Sequence, residues 1–175
     1  MIDYGEHPSK VSAWREGGFV VLPDAELEDC TVWVGAAANR SDAVKWEGLL
    51  ARRLSDSRAR VCAVPFWAYD LNLGDEVGLM HSAEVAPVVT GVVVDGGNHA
   101  FRVRFEDAAD NDGRWRQLMV DLERFDCWFD VRSPAFLAVS APPAHAQVVA
   151  DYLDAREQHA DLLFETGRSA PPTNS

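Results

Sequence analysis

The chain has 175 residues and carries 16 Lys and Arg against 28 Asp and Glu, which gives a formal net charge of −12 at pH 7. This length suits one domain, or two small modules that share a core, and it can bury roughly 70% of the surface of the unfolded chain without a metal or a disulfide. An acidic surface repels phosphate backbones and anionic lipids, so we expect neither nucleic-acid binding nor membrane binding. The charge favours a basic protein or a cationic cleft as the partner.

Cysteine usage and the termini indicate a cellular compartment. Cys30, Cys62 and Cys127 are odd in number and far apart, which is typical of buried thiols in a reducing compartment rather than of a disulfide framework. The N-terminal residues lack the basic and apolar regions of a signal peptide, and no apolar stretch approaches the ~20 residues of a membrane-spanning helix. We therefore expect a cytoplasmic protein.

The first part of the chain is predicted to be rich in β-strands. Residues 1–30 are interpreted as an N-terminal extension, and residues 31–98 as a β-rich module that forms a small barrel or sheet. Residues 85–94 are rich in β-branched side chains, which predicts a strand. Residues 44–54 fit either an amphipathic helix or the first strand of a hairpin, because a Ser-Asp-Ser turn and the alternating run 58–64 follow them.

The second part, residues 99–166, is predicted to be a ferredoxin-like half with the element order β-α-β-β-α-β, so that the whole chain is of the α+β class. Residues 101–105 (FRVRF) alternate apolar side chains with Arg, which is typical of a half-buried strand. The apolar residues Trp115, Leu118, Met119 and Leu122 recur at helical spacing. The other predicted elements are strands at 127–131, 136–139 and 162–165, a helix after Pro142 and Pro143 with Val148, Val149, Tyr152 and Leu153 on its inner face, and a disordered tail over 167–175.

Motifs for catalysis are absent from the sequence, which contains no GxSxG, GxxxxGK[ST], HExxH or CxxC pattern. No two histidines are three or four residues apart, so we expect surface histidines rather than metal ligands. Cys127 lies in the apolar run FDCWFDV, where a small buried hydrophobe is expected rather than a nucleophile. The sequence therefore predicts no enzyme, no catalytic residue, no cofactor and no metal. The five histidines are His7, His81, His99, His145 and His159.

An acidic cluster precedes the first predicted helix. It contains Asp107, Asp110 and Asp112 but lacks the DxDxDG register and the distal Glu of an EF-hand calcium loop. One interpretation is a solvated loop with a carboxylate near a helix N-terminus. The other is a binding rim that faces a cationic groove on a partner.

The N-terminal segment 5–18 is a candidate binding segment. It contains Lys10, one of only two lysines, and the pair Trp14 and Arg15, with glycines on both sides. Trp and Arg are the residue types that contribute most to interfaces when they are desolvated. The segment therefore either binds a partner or forms a loosely ordered terminus with Trp14 packed back on the body of the protein.

A series of short motifs resembles one bacterial family, the domain-of-unknown-function family 4265, over residues 31–165. The Pro-Phe-aromatic-Ala and Gly-Asp-x-Val elements are the specific part. Where the family often has Ser or Thr after a Gly, this chain has Asn98, His99 and Ala100. The resemblance implies no activity. The motifs are, in order, WEGLLARRL at 46–54, AVPFWAY at 63–69, LGDEV at 73–77, GNH at 97–99 and FRVRF at 101–105.

A narrower resemblance, in length, acidity, preference for Arg over Lys and N-terminal extension, is to the mycobacterial immunity factors for the tuberculosis necrotizing toxin, a secreted NAD glycohydrolase. It implies a non-enzymatic cytoplasmic inhibitor that forms a 1:1 complex with the toxin domain and blocks its active site. In this hypothesis Trp14 is the apolar anchor of a plug, and Lys10 and Arg15 pair with carboxylates of the toxin. The acidic rim candidates are Asp107, Asp110 and Asp112.

An alternative hypothesis is a small-molecule-binding or regulatory module. Its ligand is expected in the β-rich half, near the aromatic side chains of Trp67 and Tyr69 and the carboxylate of Asp75. The sequence identifies no particular ligand.

Overall fold

The structure, a computed structural model, describes residues 3–7, 10–23, 27–36, 45–81, 86–106 and 113–168. Within these ranges the chain forms two six-stranded sheets and two α-helices, which confirms the predicted α+β class. The strands are β1 (Asp3–Glu6), β2 (Ser12–Arg15), β3 (Gly18–Val21), β4 (Cys30–Ala36), β5 (Lys45–Ser55), β6 (Arg58–Val61), β7 (Glu76–His81), β8 (Pro87–Val94), β9 (His99–Arg104), β10 (Trp128–Ser133), β11 (Phe136–Ala141) and β12 (Leu163–Thr166); the helices are α1 (Arg114–Leu122) and α2 (Ala146–Gln158).

The first sheet closes into a small five-stranded barrel. Its strand order is β1-β5-β4-β8-β7-β6, and β5 also pairs with β6. The long strand β5 makes this closure possible because Ala51 is the register partner of Cys30 on β4 and of Val61 on β6. Strand β1 lies outside the closed ring and runs parallel to the start of β5. Of the two predicted forms of the β-rich module, the barrel is therefore observed.

The described part of the segment 44–54, residues 45–54, forms a strand and not a helix. Glu47, Leu49 and Ala51 alternate along β5 and are all buried, which is the period of a strand with one face turned to a core. The turn at Asp56 and Ser57 then leads into β6, as the hairpin interpretation predicted.

The second sheet has the strand order β12-β9-β11-β10-β2-β3. Both helices cover one of its faces, where their apolar side chains share a core with Phe101, Val103 and Phe129. The predicted apolar stripe of α1 is buried. On α2 the prediction was wrong for Val148, which is 41% exposed. Neither helix in the described ranges is both long and apolar enough to cross a membrane.

The strands of residues 1–30 belong to both sheets. Strand β1 pairs with β5 of the first sheet, whereas β2 pairs with β10 of the second sheet and with β3. The prediction that β9 is half-buried was wrong. Arg102 is only 2% exposed because its side chain faces the first sheet, so β9 is covered on both faces except at Arg104.

In the β-rich half of the chain, which we call the first half, the turns at Gly74 and Gly96 are in close backbone contact. This contact predicts the effect of Gly96→Ala. A Cβ on Gly96 would lie 2.5 Å from the carbonyl carbon of Gly74, and backbone atoms cannot yield as a flexible side chain can. We expect a loss of about 1–3 kcal/mol in the free energy of unfolding, measured by urea denaturation. The control is Gly35→Ala, since a Cβ on Gly35 would meet no atom within 4 Å. Equal denaturation midpoints for the two variants would contradict this close approach.

Candidate functional site

The face of the second sheet opposite the helices packs on residues 64–73 of the first half. The contact is mostly apolar and includes Val11, Phe66 and Ala138. Charged side chains are nevertheless buried along it. We call this group the polar seam; its members are His7, Glu47, Arg102 and Asp130.

Glu47 satisfies three backbone donors of the first half. Its carboxylate accepts hydrogen bonds from the N–H groups of Phe66 at 2.6 Å, Trp67 at 3.0 Å and Ala68 at 2.8 Å. The carboxylate is inside the protein because Glu47 occupies an inward position on β5, two residues before the buried Leu49. A buried carboxylate is tolerated when its oxygens accept several hydrogen bonds, so this one organises the backbone around it.

Arg102 binds the same backbone segment from the second sheet. Its guanidinium donates to the carbonyl oxygens of Pro65, at 3.3 Å, and of Ala68. The N–H groups of residues 66–68 are therefore bound by Glu47, and the carbonyl groups of Pro65 and Ala68 are bound by Arg102. These residues, PFWA, are one of the two specific family motifs, and the structure shows that they join the two halves.

His7 connects Glu47 with the second sheet. Its Nε2 lies 2.9 Å from Oε1 of Glu47 and its Nδ1 lies 2.6 Å from Oδ2 of Asp130, and the three side chains are 0% exposed. The ring also stacks on Phe66, with 4.8 Å between ring centres. Because both partners are carboxylates, both ring nitrogens donate, and His7 is a positively charged imidazolium. The expectation of surface histidines was wrong for His7, whose long-range partners are not visible in the local sequence.

The electrostatics of the seam agree with this geometry. Burial by itself lowers the pKa of His7, but the hydrogen bonds and charges of Asp130 and Glu47 outweigh burial and raise it from 6.5 to about 9. For Glu47, burial raises the pKa, but His7 and the N–H donors of Phe66 and Ala68 lower it below its usual value. The seam therefore holds ionised groups away from solvent. Such an arrangement can lock two halves together, and it offers no surface to a substrate.

The structure separates the three predicted plug residues. Lys10 is on the connection before β2, with its side chain 45% exposed and its Nζ 3.1 Å from Oε1 of Glu28. Trp14 is 8% exposed and belongs to the core beneath the helices. Arg15 is at the end of β2, where its Nη2 lies 3.3 Å from Oδ1 of Asp126. The predicted rim residues Asp107, Asp110 and Asp112 lie outside the described residues.

The residues of the alternative ligand site have structural partners. The carboxylate of Asp75 is 1% exposed and accepts the N–H groups of Asn72 and Gly96, each at 2.8 Å. The hydroxyl of Tyr69 donates to Glu165 at 3.1 Å. Asp75 therefore holds the turn at Asn72 against the turn at Gly96, and this contact brings Gly96 close to Gly74.

A groove of about 390 Å³ lies between the helices and is lined by Val120, Asp121, Arg124 and Tyr152. Two of its polar groups bind each other, since the hydroxyl of Tyr152 donates to Asp121. Burial and the bond to Asp121 raise the pKa of Tyr152 to about 12. Burial likewise raises the pKa of the Cys127 thiol to about 12, so that thiol stays protonated at neutral pH. Neither group has the depressed pKa of an activated nucleophile or a base.

Sequence reasoning missed the polar seam, although a signal was present. Glu47, Arg102 and Asp130 are charged residues in runs rich in apolar or aromatic side chains, namely WEGLL, FRVRF and CWFDV. A charge at an inward strand position indicates a buried partner. The sequence did not identify the partner of Asp130, because His7 lies 123 residues away along the chain.

The raised pKa of His7 predicts a pH dependence of stability. Since the folded pKa, about 9, exceeds the unfolded value of 6.5, protonated His7 contributes fully below pH 6.5, and the contribution is lost as the pH rises through 9. We expect the free energy of unfolding to fall by up to about 3 kcal/mol over this range. Denaturation at several pH values measures this slope.

The matched variants are His7→Gln and His81→Gln. His81 is exposed at the end of β7, so its variant should keep the slope of the wild type. His7→Gln should unfold more easily at pH 6.5 and lose most of the slope. A His7→Gln variant with the full slope would show that another group titrates.

The comparisons with known proteins bear on the family and the fold. The family described as "Domain of unknown function (DUF4265)" matches residues 47–163, a range that includes Glu47, Arg102 and Asp130. None of the curated proteins matches the chain. The fold is similar to that of a hypothetical protein from Neisseria gonorrhoeae, with a TM-score of 0.67 and 16% identity over 79% of this chain and 94% of that chain. With two thirds of its residues matched, the chain belongs to the DUF4265 family of domains of unknown function.

Proposed function

We propose that the protein is an immunity protein that binds a cognate secreted NAD glycohydrolase toxin in a 1:1 complex, in the cytoplasm of the producing cell, and blocks the active site of the toxin. The observation that carries the proposal is the position of Lys10. Its partly exposed side chain follows the buried His7 and immediately precedes Val11, which is also buried.

A side chain held in this way suits an inhibitor. Because the adjoining Val11 is buried and the side chain of Lys10 is bound to Glu28, less conformational entropy remains to be lost at Lys10 when a partner binds. The ion pair with Glu28 keeps the ammonium group at the surface. In the proposed complex Lys10 enters the active site of the toxin and pairs with a catalytic carboxylate.

The charge of the chain supports the same partner. A site that hydrolyses NAD must attract a diphosphate, so it is commonly lined by cationic side chains or backbone N–H groups. A protein of net charge −12 associates rapidly with a cationic cleft. Arg15 lies at the end of the same strand as Trp14, and in the proposed complex Arg15 contacts the toxin while the buried indole of Trp14 keeps β2 in place.

We also infer that residues 99–166 are a ferredoxin-like half. The inference is supported by the element order β9-α1-β10-β11-α2-β12 and by the strand order β12-β9-β11-β10 within the second sheet. Both helices contribute to one core on the same face of the sheet. The fold alone assigns no activity, so this inference concerns architecture only.

The test is NAD hydrolysis by a mycobacterial-type NAD glycohydrolase toxin domain in the presence of the protein. Equimolar wild-type protein should abolish turnover. Lys10→Ala should raise the inhibition constant by about tenfold or more, with an unchanged urea midpoint, because a half-exposed lysine contributes little to stability. Full toxin activity in excess wild-type protein would overturn the proposal.

The control is Arg168→Ala, which removes the same charge. Arg168 is exposed and follows β12, at the edge of the second sheet opposite to β2 and β3. Its variant should inhibit as the wild type does. Equal weakening by both variants would indicate a nonspecific effect of charge and would contradict the assignment of Lys10.

A further inference from the structure

Two arginines of the second sheet lie over aromatic rings at the outer end of the contact between the halves. The guanidinium carbon of Arg104 is 5.3 Å from the centre of the Phe136 ring, and that of Arg132 is 4.6 Å from the centre of the Trp67 ring. The two rings are neighbours, with 6.5 Å between their centres. We call Trp67, Arg104, Arg132 and Phe136 the arginine–aromatic rim.

The strand register places these side chains on one face. Arg104 on β9 is the register partner of Phe136 on β11, and register partners project to the same side of a sheet. Arg132 is on β10, the other neighbour of β11, at a β-bulge between Val131 and Ser133. Bulges commonly redirect a side chain next to a functional surface, and here the bulge residue lies over Trp67.

The rim is a cationic surface on an acidic protein. Arg104 and Arg132 are exposed, and neither has a carboxylate within ion-pair distance in the described ranges, unlike Arg58, Arg60 and Arg156. Stacking on a ring orders a guanidinium but does not neutralise its charge, and its N–H edge stays available to an anion. Both rings are only partly buried, so apolar surface lies beside the two charges.

We propose that the arginine–aromatic rim binds an acidic segment of a partner protein, with carboxylates on Arg104 and Arg132 and an apolar side chain against Trp67 and Phe136. Paired arginine and tryptophan side chains are the typical composition of a protein–protein contact site. A net charge of −12 opposes a long polyanion such as RNA. A short segment with a few carboxylates can bind the two arginines, because the acidic residues of the protein that lie more than about 8 Å away are screened at physiological salt.

The rim and the surface proposed for the toxin both offer cations to carboxylates, but they are formed by different residues. Lys10 lies before β2, whereas the rim is formed by β9, β10, β11 and the family motif 65–68. The proposal does not rest on the toxin, and its test contains none. Failure of either proposal therefore leaves the other intact.

The experiment measures fluorescence anisotropy of a dye-labelled Glu-Leu-Glu-Leu-Glu peptide at 0.15 M salt, about the physiological value. We expect saturable binding that weakens at least about tenfold in the double variant Arg104→Gln/Arg132→Gln. A neutral Gln-Leu-Gln-Leu-Gln peptide should bind weakly to both proteins. Urea denaturation of the same samples shows that the variant is folded.

The matched control is Arg116→Gln/Arg124→Gln. These arginines are exposed and lie over Trp115 at 4.4 Å and Phe125 at 4.7 Å, so the control removes the same charges and the same type of stacking. It should bind the acidic peptide as the wild type does. Absence of saturable binding, equal loss in both double variants, or tighter binding of a single-stranded RNA oligonucleotide would each overturn the proposal.

Discussion

The carboxylate of Glu47 accepts three backbone N–H groups of residues 66–68 and a hydrogen bond from His7, and the contact between the barrel and the second sheet is built around it. A buried charge is costly unless its hydrogen bonds are complete. Three of those bonds come from the first half, and the fourth comes from a histidine that also binds Asp130 of the second sheet. Because His7 follows β1 of the first sheet, Glu47 is satisfied within the first half, whereas the other ring nitrogen of His7 is satisfied across the contact by Asp130. The two sheets are therefore expected to unfold together.

Charge inside the protein is balanced, and this determines where the acidity of the chain lies. The polar seam contains two cations, His7 and Arg102, and two anions, Glu47 and Asp130. Its charges therefore cancel, and the net charge of −12 lies on the rest of the protein. On such an acidic surface, a guanidinium without a carboxylate within ion-pair distance in the described ranges is a less common feature than a carboxylate. For this reason the proposal of a second binding surface rests on Arg104 and Arg132 and not on the acidic residues that dominate the composition.

Much of the fold could be predicted from the sequence, because its signals are local. The apolar stripe of α1 and the β-branched run of β8 correspond to observed elements. The polar seam could not be predicted in the same way. Arg102 alternates with apolar neighbours as a solvated residue would, and only the packing of residues 65–68 against β9 shows that it is buried. Likewise, the segment 44–54 fitted a helix as well as a strand until its pairing with β4 and β6 was known.

The seam also lies close in the sequence to the residues of both proposed binding surfaces. His7, three residues before Lys10 in the sequence, is held between Glu47 and Asp130. Arg102 and Asp130 lie two residues before Arg104 and Arg132 on the same strands. Because alternate residues of a regular strand share a face, the buried Arg102 determines the side to which Arg104 projects, whereas the bulge in β10 redirects Arg132. Binding surfaces that are ordered before contact lose less entropy on association, and the buried Arg102 contributes such order to the neighbouring Arg104 of the same strand.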